Sequence, residues 1–267
     1  MRCTSIRTWL KPQLGHLPLE RLNAGHIEEL NPASGVELDS VESRERQRWT
    51  PAQAAQFITA TASEPMGLMF RVAVLRGCRR GELCGFRWAD AELDKPYRDP
   101  ATGQERIGAV LTVERPIVEL GGKLRESKAK MRAGNRRVFL DHDTAKLVRE
   151  HRKAQLKVRL KAGTAWADND LVFCQDDGQP WHPDHVSKRF KKLAAQAGVP
   201  VVTLHQGGRH IGNSLMQDAG VDQELRMREV GHADKSVNDR YTRPLEQAHL
   251  AASEQTAALA RKAGKAS

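Results

Sequence analysis

Tyrosine is nearly missing from this chain: 267 residues contain two, Tyr97 and Tyr241. No apolar run approaches the length of a membrane span, so no contact with a bilayer is expected. The start, MRCTSIRTWLKPQLG, lacks the apolar stretch of a signal peptide. The four cysteines, Cys3, Cys78, Cys84 and Cys174, form no CxxC pair. Cys78 and Cys84 fall in an apolar helical stretch where buried thiols are ordinary, and a reduced cytoplasm is the expected compartment.

Positive charge is what the chain has in excess. Net charge is +10 and the pI is near 9.7, which points to a polyanionic partner. Residues 1–48 hold seven basic and seven acidic side chains, so the whole excess lies in residues 49–267. Hydrophobic content of 39% is enough for a real core.

The segment TWLKPQLGHLPLERLNAGHIEEL reads as one or two short helices broken at Pro12, Gly15 and Gly25. NPASGVELDS follows as a loop and VESRERQRW as a charged linker. A new unit starts at Thr50-Pro51, with Thr50 as N-cap and Pro51 at the first helical position. Three helices are expected next: AQAAQFITATA, then MGLMFRVAVLRG ending at Gly77, then RGELCGFRW. AVLTVERPIVEL and RRVFL are β-like, with the basic region GGKLRESKAKMRAGN between them. In TAKLVREHRKAQLKVRLKAG, Leu147, Val148, Leu156, Val158 and Leu160 supply the apolar positions of an amphipathic helix. DLVFCQDDGQPWH reads as a short extended piece and turn. HPDHVSKRFKKLAAQAG, the segment around His210, VDQELRMREVG and EQAHLAASEQTAALARKAG read as helices. The fold class is α+β: mostly helical, with a small antiparallel sheet around residues 86–140.

Three motifs carry chemistry. Arg79, in RGCRRGELCG, opens a short helix, where a guanidinium fork and free backbone N–H groups both favour a phosphate. Taken alone it is a surface arginine beside Arg80 and Glu82. In LHQGGRHIGNSLM, His205, Arg209 and His210 surround Gly207-Gly208, and a helix is expected to start near Arg209. Imidazole moves protons at neutral pH, though taken alone the segment reads as a polar loop before a helix. In VGHADKSVNDRYTRP, His232 follows Gly231 and Tyr241 follows nine residues later. A phenol of pKa near 10 needs activation before it can attack. The ordinary alternatives are a C-terminal cap histidine and a half-buried tyrosine. Lys123, Arg125, Lys128, Lys130, Arg132, Arg136 and Arg137 lie between strands, as a solvated hairpin or a DNA-contacting one.

Taken together these boxes resemble the tyrosine recombinase (phage integrase) family, and in particular integrases of actinobacterial phages and integrative plasmids. The resemblance covers nearly all of residues 49–267. RGCRRGELCGFRWAD and HQGGRHIGNSLMQDAGV match the first and second boxes, LVFCQDDGQPWHPDHVSKRFKKLAAQAGV the segment between, and VGHADKSVNDRYTRP the nucleophile segment. It implies a site-specific recombinase that cleaves and rejoins DNA for integration or excision of a mobile element. Arg79 and Arg209 would clamp the scissile phosphate, His205 would assist proton transfer, and His232 would contact the phosphate. Tyr241 would attack to give a 3′-phosphotyrosine, and Lys130, with Lys128 as runner-up, would protonate the leaving 5′-hydroxyl. This chemistry needs no metal, ATP or other cofactor. The implied partners are double-stranded DNA at attachment sites, three further copies in a homo-tetramer, and an excisionase or host architectural protein.

Two features depart from the family pattern. The family's second box separates histidine from arginine by three residues; here His205 precedes Arg209 by four, as though one of Gly207-Gly208 were extra. Residues 1–48 resemble the start and end of the family's helical core-binding (SAM-like) domain, joined at Leu30-Asn31 without its central helices. The expected organisation is therefore a truncated core-binding remnant plus linker, 1–48, and a catalytic domain, 49–267. A truncated chain that only binds DNA is the alternative function. A metal-dependent hydrolase would rest on Cys174, His182 and His185, which lack a fourth ligand at zinc spacing and contain Pro183.

Overall fold

The structure is a computed structural model and describes residues 8, 11–21, 23, 25, 49–127, 136–229 and 242–265. It divides into two compact units, Met1–Arg46 and Gln47–Ser267. In the first, α1 (Lys11–Leu14) ends at Gly15, whose N–H donates to Lys11 O, and a single 3-10 turn spans Leu19–Arg21.

The second unit opens on Trp49, which is 3% exposed and donates its indole N–H to Pro200 O at 2.8 Å. The sequence reading placed this residue in a charged linker. It is instead a core residue, stacked 5.6 Å from Phe190 and tilted against Phe57 at 4.9 Å. Helix α2 (Pro51–Ala60) begins as expected: Thr50 caps it and exchanges hydrogen bonds with Gln53, and Pro51 occupies the first turn. Helix α3 (Gly67–Arg76) is buried along nearly all its length and ends on Gly77, whose φ of 62° is left-handed. Helix α4 (Arg80–Gly85) follows at once.

Strands β1 (Ala91–Arg98), β2 (Glu105–Val113) and β5 (Arg136–Leu140) form an antiparallel sheet in the order β1-β2-β5. AVLTVERPIVEL is not one strand. It ends at Val113, turns through Pro116, and restarts as β3 (Ile117–Leu120), which pairs with β4 (Lys123–Glu126) in a separate hairpin. Gly121 and Gly122, at φ of 61° and 74°, make the two-residue turn that this hairpin needs.

Helix α5 (His142–Ala162) is capped by Asp141 and buries Thr144, Ala145 and Val148. The remaining apolar positions assigned to its inner face are solvent-exposed: Leu147, Leu156, Val158 and Leu160, the last at 81%. Burial is confined to its first two turns. Helix α6 (Pro183–Gln196) buries Val186, Phe190 and Leu193. A π turn, His205–His210, runs into α7 (Ile211–Asp218) and then α8 (Gln223–Glu229). Helix α9 (Thr242–Lys265) lies on the sheet. Leu250 packs with Tyr97, Val110 and Phe139, and His249 stacks on Phe139 at 4.5 Å.

Candidate functional site

Arg79 is the extended residue immediately before α4, with φ of −77° and ψ of 152°. Its backbone N–H donates to Glu82 Oε2 at 2.8 Å and its Nη1 to Glu82 Oε1 at 2.6 Å. One carboxylate thus fixes both ends of the residue. Glu82 is only 4% exposed and also accepts from Arg136 Nη1. Arg136 in turn donates to Arg76 O at 2.7 Å and Gly77 O at 3.3 Å. Two guanidiniums thus share one buried carboxylate. Half of the Arg79 side chain remains at the surface. Such a fork is pre-organised for an anion because its rotamer is already held.

Glycine brings the second box to this loop. A Cβ on Gly208 would stand 3.2 Å from Cys78 O, and one on Gly212 would stand 2.6 Å from Gly77 N. The helical segment through residue 209 therefore rests directly on the backbone that leads into Arg79. On its other side a Cβ at Gly207 would meet the Phe190 ring at 2.4 Å. Both glycines of the tandem are thus packed, not a loose approach, and the helix begins at residue 204 instead of near Arg209. Thr203 and Gln206 secure its start by exchanging hydrogen bonds, the signature of a capping box. His205 is exposed and meets the His210 ring edge-on, centroids 5.2 Å apart at 87°.

The same device joins the β3–β4 hairpin to α4. Cβ atoms at Gly81 and Gly85 would stand 2.7 Å from Ile117 O and 2.4 Å from Arg115 O. Arg87, two residues after this helix, reaches Glu126 Oε1 at the end of β4 and Asn169 O. The basic run that starts on β4 is thereby tied to the helix behind Arg79. Its members divide in use. Lys123 and Arg125 are on β4, whereas Arg136 is a buried structural residue and Arg137 is paired with Glu92 and Glu246. These last two do not belong to an open DNA-contacting hairpin. Lys128, Lys130, Arg132, His232 and Tyr241 lie outside the described residues, as does the side chain of Arg209.

Of the two tyrosines, the structure describes Tyr97. Tyr97 is buried and donates its hydroxyl to Glu254, which also accepts from Arg261. Burial first, then the adjoining carboxylate, pushes its phenol pKa upward. Helix α9, which begins directly after Tyr241, is clamped to the sheet by this contact and by Ser253 Oγ donating to Phe139 O at 3.0 Å.

Cys174, His182 and His185 have separate tasks. Cys174 Sγ accepts from Gln155 Nε2 at 3.0 Å, His185 stacks on Trp181 at 5.5 Å, and His182 caps α6 by accepting from Asp184 N–H. Among the described residues, the donors that converge within 4.8 Å are Glu119, His182 and Asp184. His182 Nε2 already lies 3.4 Å from Glu119 and Asp184 pairs with Arg80, so the cap and these contacts account for the group.

A mostly helical body with a small antiparallel sheet is the fold of tyrosine recombinase catalytic domains. Residues 47–248 match the model of the phage integrase family, and the chain belongs to that family. It is similar to an integrase of Saccharopolyspora erythraea, 24% identical over 261 residues, covering 83% of this chain and 59% of that protein. It is also similar to an integrase of Streptomyces ambofaciens, 29% identical over 215 residues, covering 78% and 53%. The chain thus spans between half and three-fifths of these relatives. The fold resembles the Tn1549 transposon integrase in complex with transposon right end DNA, with a TM-score of 0.60, 15% identity, and 81% and 74% of the two chains covered. It also resembles XerA recombinase, with a TM-score of 0.52, 18% identity, and 80% and 70% covered. At these identities the structural likeness is one of fold.

Proposed function

We propose that the chain is a site-specific DNA recombinase that cleaves and rejoins double-stranded DNA of a mobile element through a 3′-phosphotyrosine. Tyr241 Oη attacks the phosphorus, the 3′ side stays on the enzyme, and the 5′ oxygen leaves with a proton from Lys130. Arg79 and Arg209 hold the non-bridging oxygens as charge builds on them, where fixed cations contribute most. His205 takes part in proton transfer and His232 donates to the phosphate. The observation that carries this reading is the contact of Gly208 and Gly212 with the Gly77–Cys78 backbone. It sets two arginine motifs, 130 positions apart in sequence, side by side. Burial of Tyr97 supports Tyr241 as the nucleophile, since the phenol of Tyr97 is already committed to Glu254. In this proposal residues 49–267 are the catalytic domain, and residues 1–48 are the remnant of a core-binding domain with its linker.

The test is covalent trapping. A nicked suicide duplex carrying the element's junction should yield a protein–DNA adduct on a denaturing gel, and Tyr241→Phe should abolish it. An adduct that persists in Tyr241→Phe would refute the assignment.

A further inference from the structure

The four-residue step from His205 to Arg209 is accommodated by backbone geometry. In an α-helix three residues advance about 300°, leaving the fourth short of a full turn from the first. A four-residue step would overshoot by about 40° and rotate the two residues relative to each other. A π turn is wider, and its hydrogen bond runs from residue i+5 back to residue i. The turn at His205–His210 contains that bond: Ile211 N–H donates to Gln206 O. Residue 209 therefore again falls short of a full turn from residue 205, as a three-residue step does in an α-helix. The tandem glycine permits this because neither position has room for a side chain: one abuts the Phe190 ring, the other Cys78 O and Ala73 O.

The wider turn has a second effect. Five residues of α-helix set two side chains about 140° apart, on different faces. Across this π turn His205 and His210 meet, edge to face, at 5.2 Å. We propose that the Gly207-Gly208 π turn absorbs the extra residue of the second box and, in doing so, makes His210 a positioning residue that holds the His205 imidazole by ring contact. This rests on the recombinase reading for what His205 does, but not for the ring contact itself.

Two measurements on the full chain test it. The first ignores activity. In ¹H–¹³C spectra of the histidine rings, His205→Ala should shift the His210 signal, because each ring lies in the other's ring current. A His210 signal indifferent to His205→Ala overturns the π-turn pairing. The second is single-turnover adduct formation on the nicked duplex, with melting temperatures taken for every variant. His210→Ala should slow adduct formation about tenfold, a loss typical of a displaced proton-transfer group. His210→Phe, which keeps a ring against His205, should recover most of the rate. The double variant His205→Ala/His210→Ala should be no slower than His205→Ala alone. Additive losses, or a Phe variant as slow as Ala, would overturn the positioning role. A parent chain that forms no adduct would instead remove the recombinase reading, and with it the role of His210, while the spectra still decide the ring contact.

Discussion

Glu82 grips Arg79 at both ends, one carboxylate oxygen on its backbone N–H and the other on Nη1. The same carboxylate neutralises the buried Arg136. Removing the charge should therefore act twice. Glu82→Gln should lower stability by about 2–3 kcal/mol, because a buried guanidinium loses its counter-ion but keeps two carbonyl acceptors. It should also slow DNA cleavage by freeing Arg79. Thermal melting and suicide-substrate trapping read the two effects separately. A variant as stable and as fast as the parent would mean that the clamp does not order Arg79.

The glycine contact between boxes should be intolerant of a single methyl. Gly212→Ala would place a carbon 2.6 Å from Gly77 N and 3.0 Å from Gly77 Cα, both backbone atoms. The backbone must shift, at a cost of about 1–3 kcal/mol for overpacking. Because the atoms displaced are those just before Arg79, cleavage should fall in native conditions where the fold persists. Melting curves with trapping assays at a temperature well below the transition check this. Unchanged melting and unchanged cleavage would show that the two boxes do not bear on each other there.

High pH should weaken the fold through groups buried in neutral form. Burial pushes the Cys84 thiol from its ordinary value of 9.0 up to about 12. A raised folded pKa means that the unfolded chain loses its proton first, so the stabilisation is complete below about pH 9 and is lost progressively up to about 12. Tyr97 adds to this above the ordinary phenol range, near pH 10, since its pKa is also raised in the fold. Denaturant titrations from pH 8 to 11 should show stability falling. Cys84→Ala should flatten the first part of the slope and Tyr97→Phe the later part. A parent chain of constant stability across that range would contradict the neutral burial of these groups.

What the sequence made legible was local. Thr50-Pro51 announced a helix start because cap and first-turn chemistry depend on neighbours alone. Gly77 announced an end for the same reason. Glu82 went unassigned as a support for Arg79 because half of its task involves Arg136, 54 positions away. Its spacing of three from a residue preceding a helix was the available sign. Leu156 and Leu160 were misread because periodicity reports which side of a helix is apolar, not how far its packing partner extends. Trp49 was hidden in a charged run whose neighbours gave no hint of an aromatic cluster formed with Phe57 and Phe190. The π turn had two signals, the tandem glycine and the Thr203–Gln206 capping pair, but its meaning needed the carbonyls of Ala73 and Cys78 on the far side.

The choice between Lys130 and Lys128 as the leaving-group acid can be made chemically. Both follow the β3–β4 hairpin, which Arg87 anchors through Glu126 two residues before Lys128. The proposed function takes Lys130 over Lys128 on its spacing to the strand that follows. A 5′-bridging phosphorothiolate removes the need for an acid, because a thiolate leaves without a proton. Lys130→Ala should therefore cleave the ordinary duplex slowly, by roughly a hundredfold as for loss of a general acid, and the phosphorothiolate duplex at close to the parent rate. Lys128→Ala should treat the two substrates alike. Rescue confined to Lys128→Ala would reverse the assignment, and a Lys130→Ala variant equally slow on both substrates would assign Lys130 to phosphate binding instead of proton donation.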